Sequence, residues 1–173
     1  MSLFCCWSQP EQEEGLDGLL EYDFETHGEF AYQEWNVPCV VKMPPVDGDT
    51  MDVAFYDPPY GTPGATIRQF RVRFIYCDTP ELIPKGQTYP NARFESREAE
   101  QQAARDARDA LASLVPESRL GRVSITKRGK FGRLLATLYF NKVNANKWLL
   151  ENGFAEPRNA RGQPCELEEL PWF

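Results

Sequence analysis

Long apolar runs are missing from this sequence. Nowhere do about 18 apolar residues follow one another, so no segment has the length and composition of a membrane-spanning helix. Nor does the N-terminus carry a basic stretch followed by an apolar one, the mark of a secretory leader. The expectation is a soluble chain, cytoplasmic or nuclear. Histidine is represented by His27 alone, and the five cysteines, Cys5, Cys6, Cys39, Cys77 and Cys165, include no pair at ligand spacing. That speaks against a zinc site and against a disulfide framework. Cys5 and Cys6 are adjacent, but position 2 lacks the glycine of a myristoylation signal, and they read as reduced thiols in a flexible end.

Basic residues are scarce in the first third. Residues 1–67 hold Lys42 against 13 acids, residues 68–133 hold 14 basic residues against 8 acids, and residues 134–173 hold 4 against 5. The net charge of −7 therefore conceals a middle segment carrying +6. Such asymmetry points to a polyanion-binding surface, although any one cluster also fits a solvated face.

The 173 residues, 42% of them hydrophobic, suffice for one core and are few for two. Residues 1–36 mix acids with scattered aromatics and show no sustained period, as expected of an acidic extension that is partly disordered or draped over a domain. From Val37 the pattern is that of strands. "VPCVVKM" comes first, then "TMDVAF", in which Met51, Val53 and Phe55 alternate, then "TIRQFRVRFIY" with Phe70, Val72, Phe74 and Tyr76 on one face. "RFESREAEQQAARDARDALASLV" has helical spacing through Ala99, Ala103, Ala107, Ala110, Leu111 and Leu114, and Pro116 ends it. Two more strands, "RVSITKR" and "RLLATLYF", flank the turn "GKFG", and "NANKWLLENGFAEP" supplies a short helix with Trp148 and Leu149 inward and Gly153 as C-cap. The order predicts an α+β fold dominated by a five-stranded OB-type barrel, with one helix between strands 3 and 4 and another at the C-terminal end. The expected domain covers 37–157 and leaves a tail at 158–173.

Charged residues gather at particular strand ends. Asp47, Gly48, Asp49 and Thr50 lead into the second strand, a sequence that alone reads more often as a turn. Asp78 and Glu81 flank Thr79-Pro80 after the third strand, which also carries Arg73. Carboxylates of this kind are hard ligands suited to Ca²⁺ or Mg²⁺. "KRGKFGR", from Lys127 to Arg133, is by itself a glycine-rich turn with basic decoration. Together, two arginines and several carboxylates are the groups that phosphodiester cleavage requires: the guanidiniums hold phosphate oxygens and a carboxylate orients or deprotonates water.

The combination of "DGDT", "RFIYCDTPE" and "KFGR", in that order with a helix between the last two, resembles the staphylococcal nuclease family over about Val37 to Pro157. The resemblance implies a Ca²⁺-dependent endonuclease acting on DNA, RNA or both and leaving 3′-phosphate and 5′-hydroxyl ends, with Mg²⁺ the less favoured ion. By motif position it implies Asp49, Asp78 and the Thr79 carbonyl as metal ligands, with Asp47 beside the ion and acting through water. Arg73 and Arg133 would grip the scissile phosphate, and Glu81 would position or activate the attacking water. Lys127, Lys130 and Phe131 are candidate substrate contacts. Gly129 stands where the family often has an acid, Phe131 lacks a hydroxyl, and "EPRNARGQPCELEELPWF" has none of the tyrosines that members can present after the second helix to stack on a base. The alternative expectation is a non-catalytic OB-fold module that binds nucleic acid or protein. A further expectation is that the acidic residues 11–34 lie across the basic face and mimic nucleic acid.

Overall fold

The computed structural model describes residues 35–57, 61, 63–82, 94–129 and 132–172. Residues 1–34, on which the acidic extension and its contact with the basic face fall, lie outside them.

Alternating apolar residues make the barrel. Strands β1 (Trp35–Val41), β2 (Thr50–Asp57) and β3 (Thr66–Phe74) pair antiparallel in succession, and β1 also pairs antiparallel with β5 (Leu120–Arg128), which pairs antiparallel with β6 (Leu134–Phe140). Parallel pairing of β3 with β6, Val72 opposite Leu134 and Phe74 opposite Ala136, closes the five strands on themselves. Closure removes the sheet edges, which open sheets must otherwise protect. The interior is filled by Met51, Val53 and Phe55 of β2, Val72 and Phe74 of β3, Val123 and Ile125 of β5, and Leu134, Ala136, Leu138 and Phe140 of β6. The fold is the expected α+β barrel of OB type with two helices.

Helix α1 (Arg97–Leu114) begins where the Ser96 side chain accepts the Ala99 N–H, and its first turn carries Glu98 and Glu100, signs that suit a helix N-terminus. Val115 is extended, as a residue preceding proline tends to be. The buried row is Glu100, Ala104, Ala107 and Leu111, rotated from the stripe the alanine spacing predicts. Ala99 is exposed, because the face is set by what the helix packs on and alanine is tolerated on every side.

Helix α2 (Ala145–Glu151) starts directly after the two-residue strand β7 (Val143–Asn144), with Asn144 accepting the Lys147 N–H. It ends in a Schellman motif: Gly153 has φ 75°, its N–H donates to Leu150 O and that of Phe154 to Leu149 O. Leu149 is fully buried and Trp148 half-buried against Phe154. Asn146, also fully buried, accepts the Leu138 N–H and donates to Ile75 O and Ala136 O, stapling α2 to the β3–β6 closure.

Two further pairings lie outside the barrel ladder. Strand β4 (Cys77–Asp78) pairs antiparallel with β8 (Glu156–Pro157). This brings the segment after α2 alongside the end of β3, and a 3₁₀ turn at Leu167–Glu169 then places Leu170 in the core. Trp172 packs edge-on to Tyr76.

Candidate active site

Three chain segments meet at one end of β3. Thr50 stands opposite Arg73 in the β2–β3 ladder, and Asp49 extends that ladder by one bond, its carbonyl accepting the Phe74 N–H at 2.8 Å. The approach to β2 is a closed turn in which the Val46 and Asp47 N–H groups donate to Thr50 O and the Asp47 carboxylate accepts the Asp49 N–H at 3.1 Å. After β3 the chain turns through Ile75 and Tyr76, the latter at φ 70°, into Cys77, Asp78 and Thr79. The two acid-bearing segments are tied together because the Thr79 N–H donates to Asp49 Oδ2 at 3.0 Å. Gly48 makes this fit possible: a Cβ there would lie 2.8 Å from both Ala107 Cβ and Thr79 Oγ1.

Arg73 joins the carboxylates. Its Nη1 donates to Asp49 Oδ1 at 3.0 Å and its Nη2 to Asp78 Oδ1 in a short bond. Asp49 is 1% exposed, and its Oδ1 also accepts the Thr50 hydroxyl. Burial pushes the Asp49 carboxyl up to about 7; Arg73 and the Thr79 N–H oppose the rise, while Asp47 and Asp78 add to it. Burial alone would lower the pKa of Arg73, but the carboxylates of Asp49, Asp78, Asp47 and Glu81 together raise it. The site is therefore an acidic cluster around a partly buried guanidinium, with the Asp49 carboxyl buried and hydrogen-bonded at its centre.

Arg133 precedes β6 and has the same alternation as Leu135, which stands opposite Arg73 across the parallel ladder. Arg133 is half-buried one residue short of β6. The Gly129 N–H donates to Arg133 O at 2.7 Å, closing the turn, and a Cβ at position 129 would lie 3.2 Å from that oxygen. Lys127 donates to Ala160 O at 2.7 Å and so holds the C-terminal turn. Glu81 is exposed and near enough to act on Arg73. Lys130 and Phe131 lie outside the described residues.

One residue of the site escaped sequence reasoning. Arg158, following β8, donates from Nη2 to Asp78 Oδ2 at 2.9 Å and to Glu156 at 3.3 Å. Nothing local in "EPRNARG" marks it, because only the β4–β8 pairing carries it to Asp78. With Arg73, Asp78, Asn159 and Ala160 it lines a cleft of about 240 Å³.

The donors fit a hard dication in kind: all are oxygens, and Asp49 and Asp78 already converge on one cationic side chain. Among the described residues no three His, Cys, Asp or Glu side chains form a ready metal cage, so a bound ion would need backbone and water oxygens as well. A family model described as staphylococcal nuclease homologue matches residues 71–170, which run from the second half of β3 through both helices, β5 and β6. No curated protein matches the chain.

Proposed function

We propose, from the premise that this chain belongs to the staphylococcal nuclease homologue family, that it is a Ca²⁺-dependent endonuclease hydrolysing phosphodiester bonds of DNA, RNA or both. The observation that carries the proposal is the bridge from Arg73 to Asp49 and Asp78, with the Thr79 amide on the other Asp49 oxygen. In this reading Asp49, Asp78 and the Thr79 carbonyl hold the ion, with Asp47 acting through water. When bound, the ion supplies Lewis acidity and offsets the charge of the phosphate. Arg73 and Arg133 hold phosphate oxygens in bidentate fashion and take up the charge that grows in the five-coordinate transition state. Glu81 accepts the proton of the attacking water. The water oxygen bonds to phosphorus, the P–O5′ bond breaks, the departing 5′ oxygen takes a proton from solvent to become the 5′-hydroxyl, and the phosphate stays on the 3′ end. Lys127, Lys130 and Phe131 remain candidate contacts to the rest of the strand, with Lys127 acting by fixing the turn at Ala160.

The test is cleavage of end-labelled single-stranded DNA and RNA with Ca²⁺ and with a chelator. Cutting should require Ca²⁺ and leave 3′-phosphate ends; cutting that persists in chelator, or that leaves 5′-phosphates, would rule the mechanism out.

A second reading, a module that binds nucleic acid or protein without cutting, is favoured by one observation. All four carboxylate oxygens of Asp49 and Asp78 are met by protein donors: Thr50, Arg73, Thr79 and Arg158. Binding without cleavage under any metal would select it.

A further inference from the structure

Arg158 is placed with more care than a stabilising ion pair needs. Its backbone N–H donates to Tyr76 O at 3.0 Å, fixing it beside the end of β3. The turn that follows is held from within: the Asn159 side chain accepts the Arg161 and Gln163 N–H groups, and the Asn159 N–H donates to Gln163 O. From outside, Lys127 of β5 fastens the turn through Ala160 O. The guanidinium thus stands on a frame tied to the barrel at both ends.

Its bonding is lopsided. A guanidinium offers five N–H donors, and Arg158 meets both of its acids, Asp78 and Glu156, from Nη2 alone. An arginine serving only Asp78 would be expected to use the two-nitrogen fork that matches a carboxylate. Here Nε and Nη1 have no partner among the described residues, and the side chain is 23% exposed on the wall of the cleft. Arg73 stands on the other oxygen of Asp78, also 23% exposed. Two guanidiniums are therefore held side by side across one carboxylate, each with donors to spare. The cleft, about 240 Å³, falls below the range of roughly 300–1,000 Å³ typical of sites that enclose a free small molecule. It suits one unit of a chain that continues beyond it.

We propose that Arg158 is a binding residue for a backbone phosphate of the nucleic-acid strand next to the one being cut, a subsite that rests on the nuclease reading above. A charged contact to the backbone adds affinity without base preference. Interactions made equally before and during the reaction lower KM and leave kcat unchanged.

Arg158→Gln keeps a donor for Asp78 and removes the charge, and Arg158→Lys keeps the charge. Binding of a labelled single-stranded DNA oligonucleotide would be measured in chelator between about 50 and 200 mM salt, where each phosphate contact on a single strand contributes about 0.7 to the slope of log K against log salt. We expect Arg158→Gln to lose about 0.7 of slope and to raise KM about tenfold with kcat within about threefold of wild type, and Arg158→Lys to keep the slope. An unchanged slope in Arg158→Gln, a fall in kcat at constant KM, or no salt-dependent binding by wild type would overturn the subsite. If wild type binds with an Arg158-dependent slope and does not cut, the nuclease reading fails and Arg158 is a phosphate contact of a binding module. If it cuts and Arg158→Gln keeps the full slope, only the subsite fails.

Discussion

At Gly48 the site depends on a missing side chain. A single methyl there would press on Ala107 of α1 and on Thr79, both at distances that atoms do not tolerate. Gly48→Ala should therefore push apart the two segments that carry Asp49 and Asp78. We expect a loss of about 1–3 kcal/mol in stability from overpacking, read by chemical denaturation, together with weakened Ca²⁺ binding by calorimetry. A normal melting curve with normal Ca²⁺ affinity would show that the contact is relieved elsewhere. The residue scale is also where sequence reading succeeded and failed most sharply. The meeting of Asp49, Arg73 and Asp78 was legible because they lie at the ends of two strands with clear alternation, so it needs only that the strands pair. Arg158 was not legible, because its place depends on a two-residue pairing between segments about 80 residues apart.

At the scale of elements, two contacts bear on how firmly the strands are held. Asn146 satisfies one N–H and two carbonyl groups at the seam where β3 and β6 close the barrel. Asn146→Ala leaves buried backbone groups without partners and should lower stability by about 2–4 kcal/mol, measured by urea unfolding; a change below about 0.5 kcal/mol would mean that water takes its place. Asp52 and Arg71, opposite each other in β2 and β3, share a two-bond pair. Arg71's hydrogen bonds hold the Asp52 carboxyl below its ordinary 3.8. A lowered folded pKa stabilises above the unfolded value and loses that effect as pH falls through the folded one. The melting-temperature gap between wild type and Asp52→Asn should thus be present well above the ordinary 3.8 and shrink as the pH falls through the lowered folded value. A gap that is constant with pH would assign the effect to packing. Alternation located all five barrel strands. It did not show β4, β7 or β8, since two residues carry no period, and in α1 it marked the buried Ala107 and Leu111 but not Glu100 and Ala104, because alanine-rich helices mark no single face.

For the whole molecule, the distribution of charge is the main fact. Thirteen acids in residues 1–67 precede a basic middle, and residues 11–34 are proposed to compete with nucleic acid for that surface. Removing residues 1–34 should then tighten binding of a single-stranded oligonucleotide and steepen its salt dependence. Unchanged affinity and slope would separate the extension from the site. Net charge alone would have argued against a polyanionic partner, and only counting by segment reversed that, because opposing charges on different parts of a fold do not cancel locally. The most direct measurement is cleavage of labelled single-stranded DNA by wild type and by Arg73→Ala, prepared identically, with Ca²⁺ and with chelator. We expect Ca²⁺-dependent cutting that falls by about 10²–10³-fold in Arg73→Ala, by analogy with loss of one donor that stabilises transition-state charge. Equal cutting by both proteins, or binding without cutting under any metal, would contradict the assignment of this site.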